Sequence, residues 1–78
     1  MITLRLFAQA REAAGEKMVV LEGDTVGAVL DAAVERFGAA FAVVLDGSKV
    51  WLNGSPADRS DAANAGDEVA VLPPVSGG

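Results

Sequence analysis

The stretch in which residue type and spacing suggest chemistry is "VLPPVSGG", residues Val71 to Gly78. An apolar, strand-like run meets two prolines, and two glycines come at the end. Pro73 and Pro74 fix φ and lack a backbone donor, so they leave a sheet ladder and hold the chain extended. Gly77 and Gly78 have no Cβ and can enter a channel too narrow for any other residue. From Pro73 to Gly78 the chain can reach at most about 20 Å. Two glycines alone would read as a frayed terminus. Placed directly after a proline-stiffened exit from an apolar strand, they read as a device for carrying the Gly78 carboxylate into another protein's active site.

The rest of the chain offers little competing chemistry. Cysteine and histidine are absent, which removes disulfides, thiolate nucleophiles, imidazole bases and the usual zinc or iron–sulfur ligands. No metal or bound cofactor is expected. Asp67 and Glu68 are adjacent carboxylates, but neighbours in a strand point to opposite faces, so a solvated turn is the expected role. Trp51 on an alternating strand is expected in the core or an interface rather than stacked on a ligand. Asn53 and Gly54 are turn residues, and Gly23, Gly27 and Gly38 lack the spacing of a phosphate-binding loop. A net charge of −5 opposes a nucleic-acid backbone, and the six Lys and Arg are scattered along the sequence. The acidic balance is compatible with a basic protein surface as partner, though it commonly means only a soluble exterior.

These groups need a body to position them. At 78 residues and 51% hydrophobic content the chain is expected to form one small domain over residues 1–78, with 73–78 as a flexible functional tail. The start "MITLRLF" lacks the features of a secretory signal, and no apolar run approaches the roughly 18–20 residues of a membrane span. A soluble, cytoplasmic protein is expected, with neither membrane nor nucleic acid as partner.

Ile2, Leu4 and Leu6 alternate with Thr3 and Arg5, the period of a half-buried strand. "AQAREAAG" suggests a short helical piece ended by a left-handed Gly15. "KMVVL" is a second strand, antiparallel to the first. Val26, Val29, Leu30, Ala33, Val34 and Phe37 define one face of a helix, capped by Thr25 and closed by Gly38. Asp31, Glu35 and Arg36 face away from that stripe. "AAFAVVL" is compatible with a strand or a further apolar turn. "VWL" runs into Asn53-Gly54, a two-residue hairpin signal, and "EVAVL" is the last strand. The sum is an α+β fold: an open sheet with one main helix packed on one face.

With these residues in place, the chain resembles a known family. "GDEVAVLPPVSGG" is similar to the C-terminal signature of the small subunit of molybdopterin synthase, and "LFAQAREAAG" to that family's first strand and turn. The two blocks cover about a third of the chain. Where the family tends to carry a large apolar residue before "GDEV", this chain reads "SDAANAGDEV", so this loop is expected to be loosely anchored. The resemblance implies a ubiquitin-like β-grasp, a mixed sheet whose first and last strands are parallel and central.

It also implies a chemistry. A ubiquitin-activating-like adenylyltransferase would use ATP to adenylate the Gly78 carboxylate, a sulfur donor protein would convert it to a thiocarboxylate, and the synthase large subunit would accept the tail. Sulfur would then pass to a cyclic pyranopterin phosphate to build the dithiolene that holds molybdenum or tungsten. Gly78 would carry the sulfur, while Gly77, Ser76, Val75, Pro74 and Pro73 thread the tail; the chain would be a non-catalytic sulfur-donor subunit within a heterotetrameric synthase. A sulfur carrier for thiamine, cysteine or tRNA thiolation, a protein modifier joined to lysine through Gly78, and a plain binding module are the competing readings.

Overall fold

The computed structural model describes residues 1–74. Its elements are β1 (Ile2–Leu6), α1 (Ala8–Ala14), β2 (Met18–Leu21), α2 (Val26–Phe37), α3 (Ala39–Asp46), β3 (Lys49–Leu52), β4 (Ser55–Pro56) and β5 (Glu68–Leu72). The strands form one sheet in the order β2-β1-β5-β3-β4. β1 and β5 run parallel in the interior of the sheet, in the register Thr3 to Glu68 through Leu6 to Val71, whereas β2 and β3 flank them antiparallel. The expected mixed sheet and the central parallel pair are both present.

The alternation in the sequence decides which face is covered. Ile2, Leu4 and Leu6 of β1, Val19 of β2 and Val69 and Val71 of β5 point into a core completed by Val26, Val29, Leu30 and Ala33 of α2. Thr25 caps α2, its Oγ1 accepting the Ala28 N–H at 3.1 Å, and Gly38 closes it by donating its N–H to the Val34 carbonyl. Val34 and Phe37 are only partly buried, so the stripe weakens toward the helix end. Gly15 takes φ 77° after α1 and donates back to the Arg11 carbonyl, as the glycine there requires. Asn53 and Gly54, both at positive φ, make the two-residue β3–β4 turn.

The run "AAFAVVL", compatible in sequence with a strand or a further apolar turn, forms α3 together with Asp46. Phe41 is fully buried, and Val44 and Leu45, three and four residues on, pack against the core, whereas Val43 is 75% exposed. A strand would have put Phe41, Val43 and Leu45 on one face. The helix instead turns Val43 outward and sends Phe41 into the core, where it meets Phe37 of α2 across the Gly38 break with ring centroids 5.3 Å apart and the planes tilted.

The loop before β5 is firmly held, contrary to the expectation from its alanines. Its backbone accepts from the open first turn of α2: Val26 N–H donates to the Asp61 carbonyl at 2.9 Å and Gly27 N–H to the Arg59 carbonyl at 2.8 Å. Ala63 is buried and donates its N–H to the Asp24 carbonyl, and Gly66 donates to that of Met1. The Arg59 guanidinium binds the Gly27 carbonyl and the Asp31 carboxylate. Backbone bonding does here what a large apolar side chain would otherwise do. Among the described residues no helix is long and apolar enough to cross a membrane.

Candidate functional site: the tail exit and the open sheet face

β5 points its C-terminal end out of the fold beside that of β1, because the two strands are parallel. Pro73 is buried and Pro74 exposed, so the body ends between the two prolines. Both line a shallow recess of about 240 Å³ with Gln9, Val43, Val44 and Gly47. Val75, Ser76, Gly77 and Gly78, the tail-threading and sulfur-bearing positions of the sequence reading, lie outside the described residues.

The face of the sheet away from the helices is open. Met18, Arg5, Ala70, Trp51 and Pro56 are aligned in one row across all five strands. Met18 and Val20 are each 49% exposed and Trp51 37%. Trp51 is thus a surface aromatic on an uncovered sheet face and not a core residue. Arg5 Nε donates to Glu68 Oε2 at 2.9 Å across the central pair, so the one charged pair in this region is internally satisfied.

Asp67, just before β5, and Glu68, its first residue, bind different partners: Glu68 pairs with Arg5, whereas Asp67 holds the loop. The Asp67 carboxylate accepts from the Asn64 backbone N–H at 2.8 Å and the Asn53 side-chain amide at 3.1 Å. These two donors hold its pKa below the ordinary carboxylate value. Asn53 Oδ1 in turn accepts the Glu68 N–H, so the network ties the β3–β4 turn to the start of β5. Among the described residues no cluster of three or more His, Cys, Asp or Glu side chains is arranged to hold a metal ion.

The alternation of β1 places Arg5 on the open face, whereas nothing in the sequence marks Met18 and Val20 as surface residues. The signal was present for Arg5, which alternates with buried Ile2, Leu4 and Leu6. It was hidden in "KMVVL", where both faces are apolar and alternation cannot say which is covered.

A central parallel strand pair, helices on one face, a bare face on the other and a proline-marked exit from the last strand define a ubiquitin-like β-grasp protein. The chain is 40% identical to small archaeal modifier protein 1 of Haloferax volcanii, over 95% of this chain and 97% of that protein. The crystal structure of that protein superposes with a TM-score of 0.83, covering 99% of this chain and 98% of its own. The solution structure of small archaeal modifier protein 1 from Methanosarcina acetivorans gives a TM-score of 0.87 at 28% identity, over 99% and 95% of the two chains. The complex of subunits 1 and 2 of the molybdopterin-converting factor from Helicobacter pylori contains a chain of the same fold, with a TM-score of 0.72 at 22% identity over 99% and 97%. The ThiS family model matches residues 4–78, and the chain belongs to that family of ubiquitin-like sulfur carriers.

Proposed function

We propose that this chain carries an activated acyl group at Gly78, and that its principal role is that of the molybdopterin synthase small subunit. The observation that carries the reading is the exit of β5. The strand lies between β1 and β3, and the described body closes at buried Pro73 and exposed Pro74, directly after the end of β5. The five residues from Pro74 to Gly78 span at most about 17 Å. That is long enough to place the last carboxylate inside a partner while the sheet face stays outside.

Activation by a separate enzyme is necessary because a carboxylate with an ordinary pKa near 3.5 is an unreactive anion at neutral pH. The carboxylate oxygen attacks the α-phosphorus of ATP and expels pyrophosphate. A sulfur nucleophile from a donor protein then attacks the acyl carbon, and AMP leaves with the electron pair of the broken C–O bond. With a persulfide as that nucleophile the product is an acyl disulfide. A thiol then attacks the donor's sulfur, the S–S bond breaks, the thiocarboxylate leaves with its electron pair, and the donor cysteine ends in a disulfide with that thiol. In the large subunit the thiocarboxylate sulfur attacks a side-chain carbon of the pterin precursor, and an oxygen substituent leaves that carbon with its electron pair. Water cleaves the resulting thioester to return the Gly78 carboxylate; two carriers supply the two sulfurs of the dithiolene. The described residues supply presentation and docking to this sequence, which takes place in the cytoplasm.

The likeness of "GDEVAVLPPVSGG" and "LFAQAREAAG" to the synthase small subunit supports the pterin as sulfur acceptor, and the fold of the Helicobacter pylori complex is compatible with it. The 40% identity to a small archaeal modifier protein supports a second reading, in which the same activated Gly78 is passed to a lysine amine.

The test is intact-mass analysis of protein from its native cell, followed by incubation of the thiocarboxylated chain with the large subunit and pterin precursor. A gain of about 16 Da for one oxygen replaced by sulfur, with dithiolene formation, is the expected result. Lysine conjugates without pterin sulfuration would assign the modifier role, and an unchanged carboxylate would remove both.

A further inference from the structure

We propose that a cationic recess beside the tail exit, walled by Arg5, Phe7, Arg11, Lys17 and Met18, receives an acidic segment of the protein that takes the tail. The recess encloses about 300 Å³, and no carboxylate lines it. In a chain of net charge −5 with eleven Asp and Glu, Arg11 and Lys17 around one hollow, beside an Arg5 already neutralised by Glu68, are a local reversal of sign.

The surrounding ion pairs sharpen that reversal. Among the described residues the ion pairs are Arg5–Glu68, Arg36–Glu16 and Arg59–Asp31. Glu16, the immediate neighbour of Lys17, is paired with Arg36 and does not line the recess, while Arg11 and Lys17 have no ion-pair partner among the described residues. Phe7 and Met18 are 41% and 49% exposed, which gives an incoming segment an apolar wall beside the charges.

Position identifies the kind of partner. Leu6 is paired with Val71, and Met18 with Arg5. The recess thus stands within about two strand spacings, roughly 10 Å, of the point where the tail leaves. A protein that takes the tail and rests on β1 and β2 meets this recess, and complementary charge at such a rim acts mainly on encounter rate and register. The inference rests on the proposed handling of the tail by a second protein, but the recess itself can be tested without it.

The experiment compares the wild-type chain, Arg11→Ala/Lys17→Ala and the charge-matched control Ser55→Glu/Ser60→Glu, whose changes lie on β4 and in the loop after it. Each protein is titrated by amide NMR with a blocked Glu-Asp-Leu-Glu-Asp peptide and, separately, with AMP. The adenylation KM is then measured with the cognate activating enzyme. Peptide-induced shifts at residues 5–11, 17 and 18 are expected in wild type and control, lost in the double variant and at 0.5 M salt, on the order of the screening expected for exposed charges. The adenylation KM of the double variant should rise about tenfold with kcat unchanged, and that of the control should stay within about twofold. Peptide shifts that are absent or fall elsewhere, tighter binding of AMP at the same amides, or an unchanged KM would each overturn the proposal. Absence of adenylation in the wild type would instead refute the tail reading, and the peptide titration would still decide whether the recess takes acidic protein segments.

Discussion

Leu6 and Val71 lie side by side in parallel register at the tail end of the sheet, with exposures of 2% and 0%. The last apolar residue of β1 and the last buried residue of β5 before the prolines thus share one packing layer. The core extends almost to the exit and holds the tail's point of departure rigidly.

Val71→Ala should therefore act on stability first. Deleting two buried methyl groups costs about 2 kcal/mol when the site relaxes only partly, which in a domain of this size lowers Tm by about 10 °C. Thermal unfolding measures the loss, and adenylation assayed well below the new Tm should remain near normal.

Deletion of Gly78 should have the opposite profile. It leaves every described core residue in place and shortens the chain by about 3.5 Å, so stability should change by less than about 0.5 kcal/mol. Sulfur transfer to the pterin should fall by at least about a hundredfold, because misplacing a reacting group by about 1 Å already costs that much. Unfolding curves and dithiolene formation with the large subunit, measured on one preparation, check both halves.

Gly23 is fixed by space. A Cβ there would stand 2.9 Å from both Val29 Cγ2 and the Val29 backbone nitrogen, and the nitrogen belongs to the rigid first turn of α2. Gly23→Ala should destabilise the fold by about 1–3 kcal/mol, the usual cost of forcing atoms into a packed site. Urea unfolding should show the lower midpoint with an unchanged m-value.

Asp67 makes stability pH-dependent in a defined direction. Its folded pKa is lowered by the Asn64 backbone N–H and the Asn53 side-chain amide. The contribution is therefore complete above the unfolded pKa of about 4 and is lost as pH falls through the lower folded value. Asp67→Asn should lower Tm at pH 7 and flatten its acid dependence below about pH 4. Tm measured from pH 7 to pH 2 for both proteins gives the comparison.

Much of the architecture was legible because its signals are local. The stripe from Val26 to Phe37, the Thr25 cap, the Asn53-Gly54 turn and the alternation of Ile2, Leu4 and Leu6 each involve only a few neighbouring residues. Two features were hidden for different reasons. Residues 39–46 are apolar at nearly every position, so periodicity does not separate helix from strand, and the helical state shows only in Phe41 being buried while Val43 is exposed. The anchoring of the loop before β5 is settled by carbonyls of Arg59 and Asp61 meeting the amides of Gly27 and Val26. No side-chain pattern announces a backbone bond between residues some thirty positions apart. The cationic recess was obscured for the same reason: Arg5, Arg11 and Lys17 are scattered in sequence and meet only when β1, α1 and the start of β2 fold together.

The interior position of β5 also has a mechanical consequence. A strand at a sheet edge can be peeled away one hydrogen bond at a time, but β5 is bonded to β1 on one side and β3 on the other. Tension applied along residues 74–78 runs nearly parallel to the strand and across those bonds, loading both ladders together in shear. A partner that draws the tail into a narrow channel therefore pulls against the whole sheet, and the carrier can be gripped, turned over and withdrawn as a rigid body without unravelling from its own end.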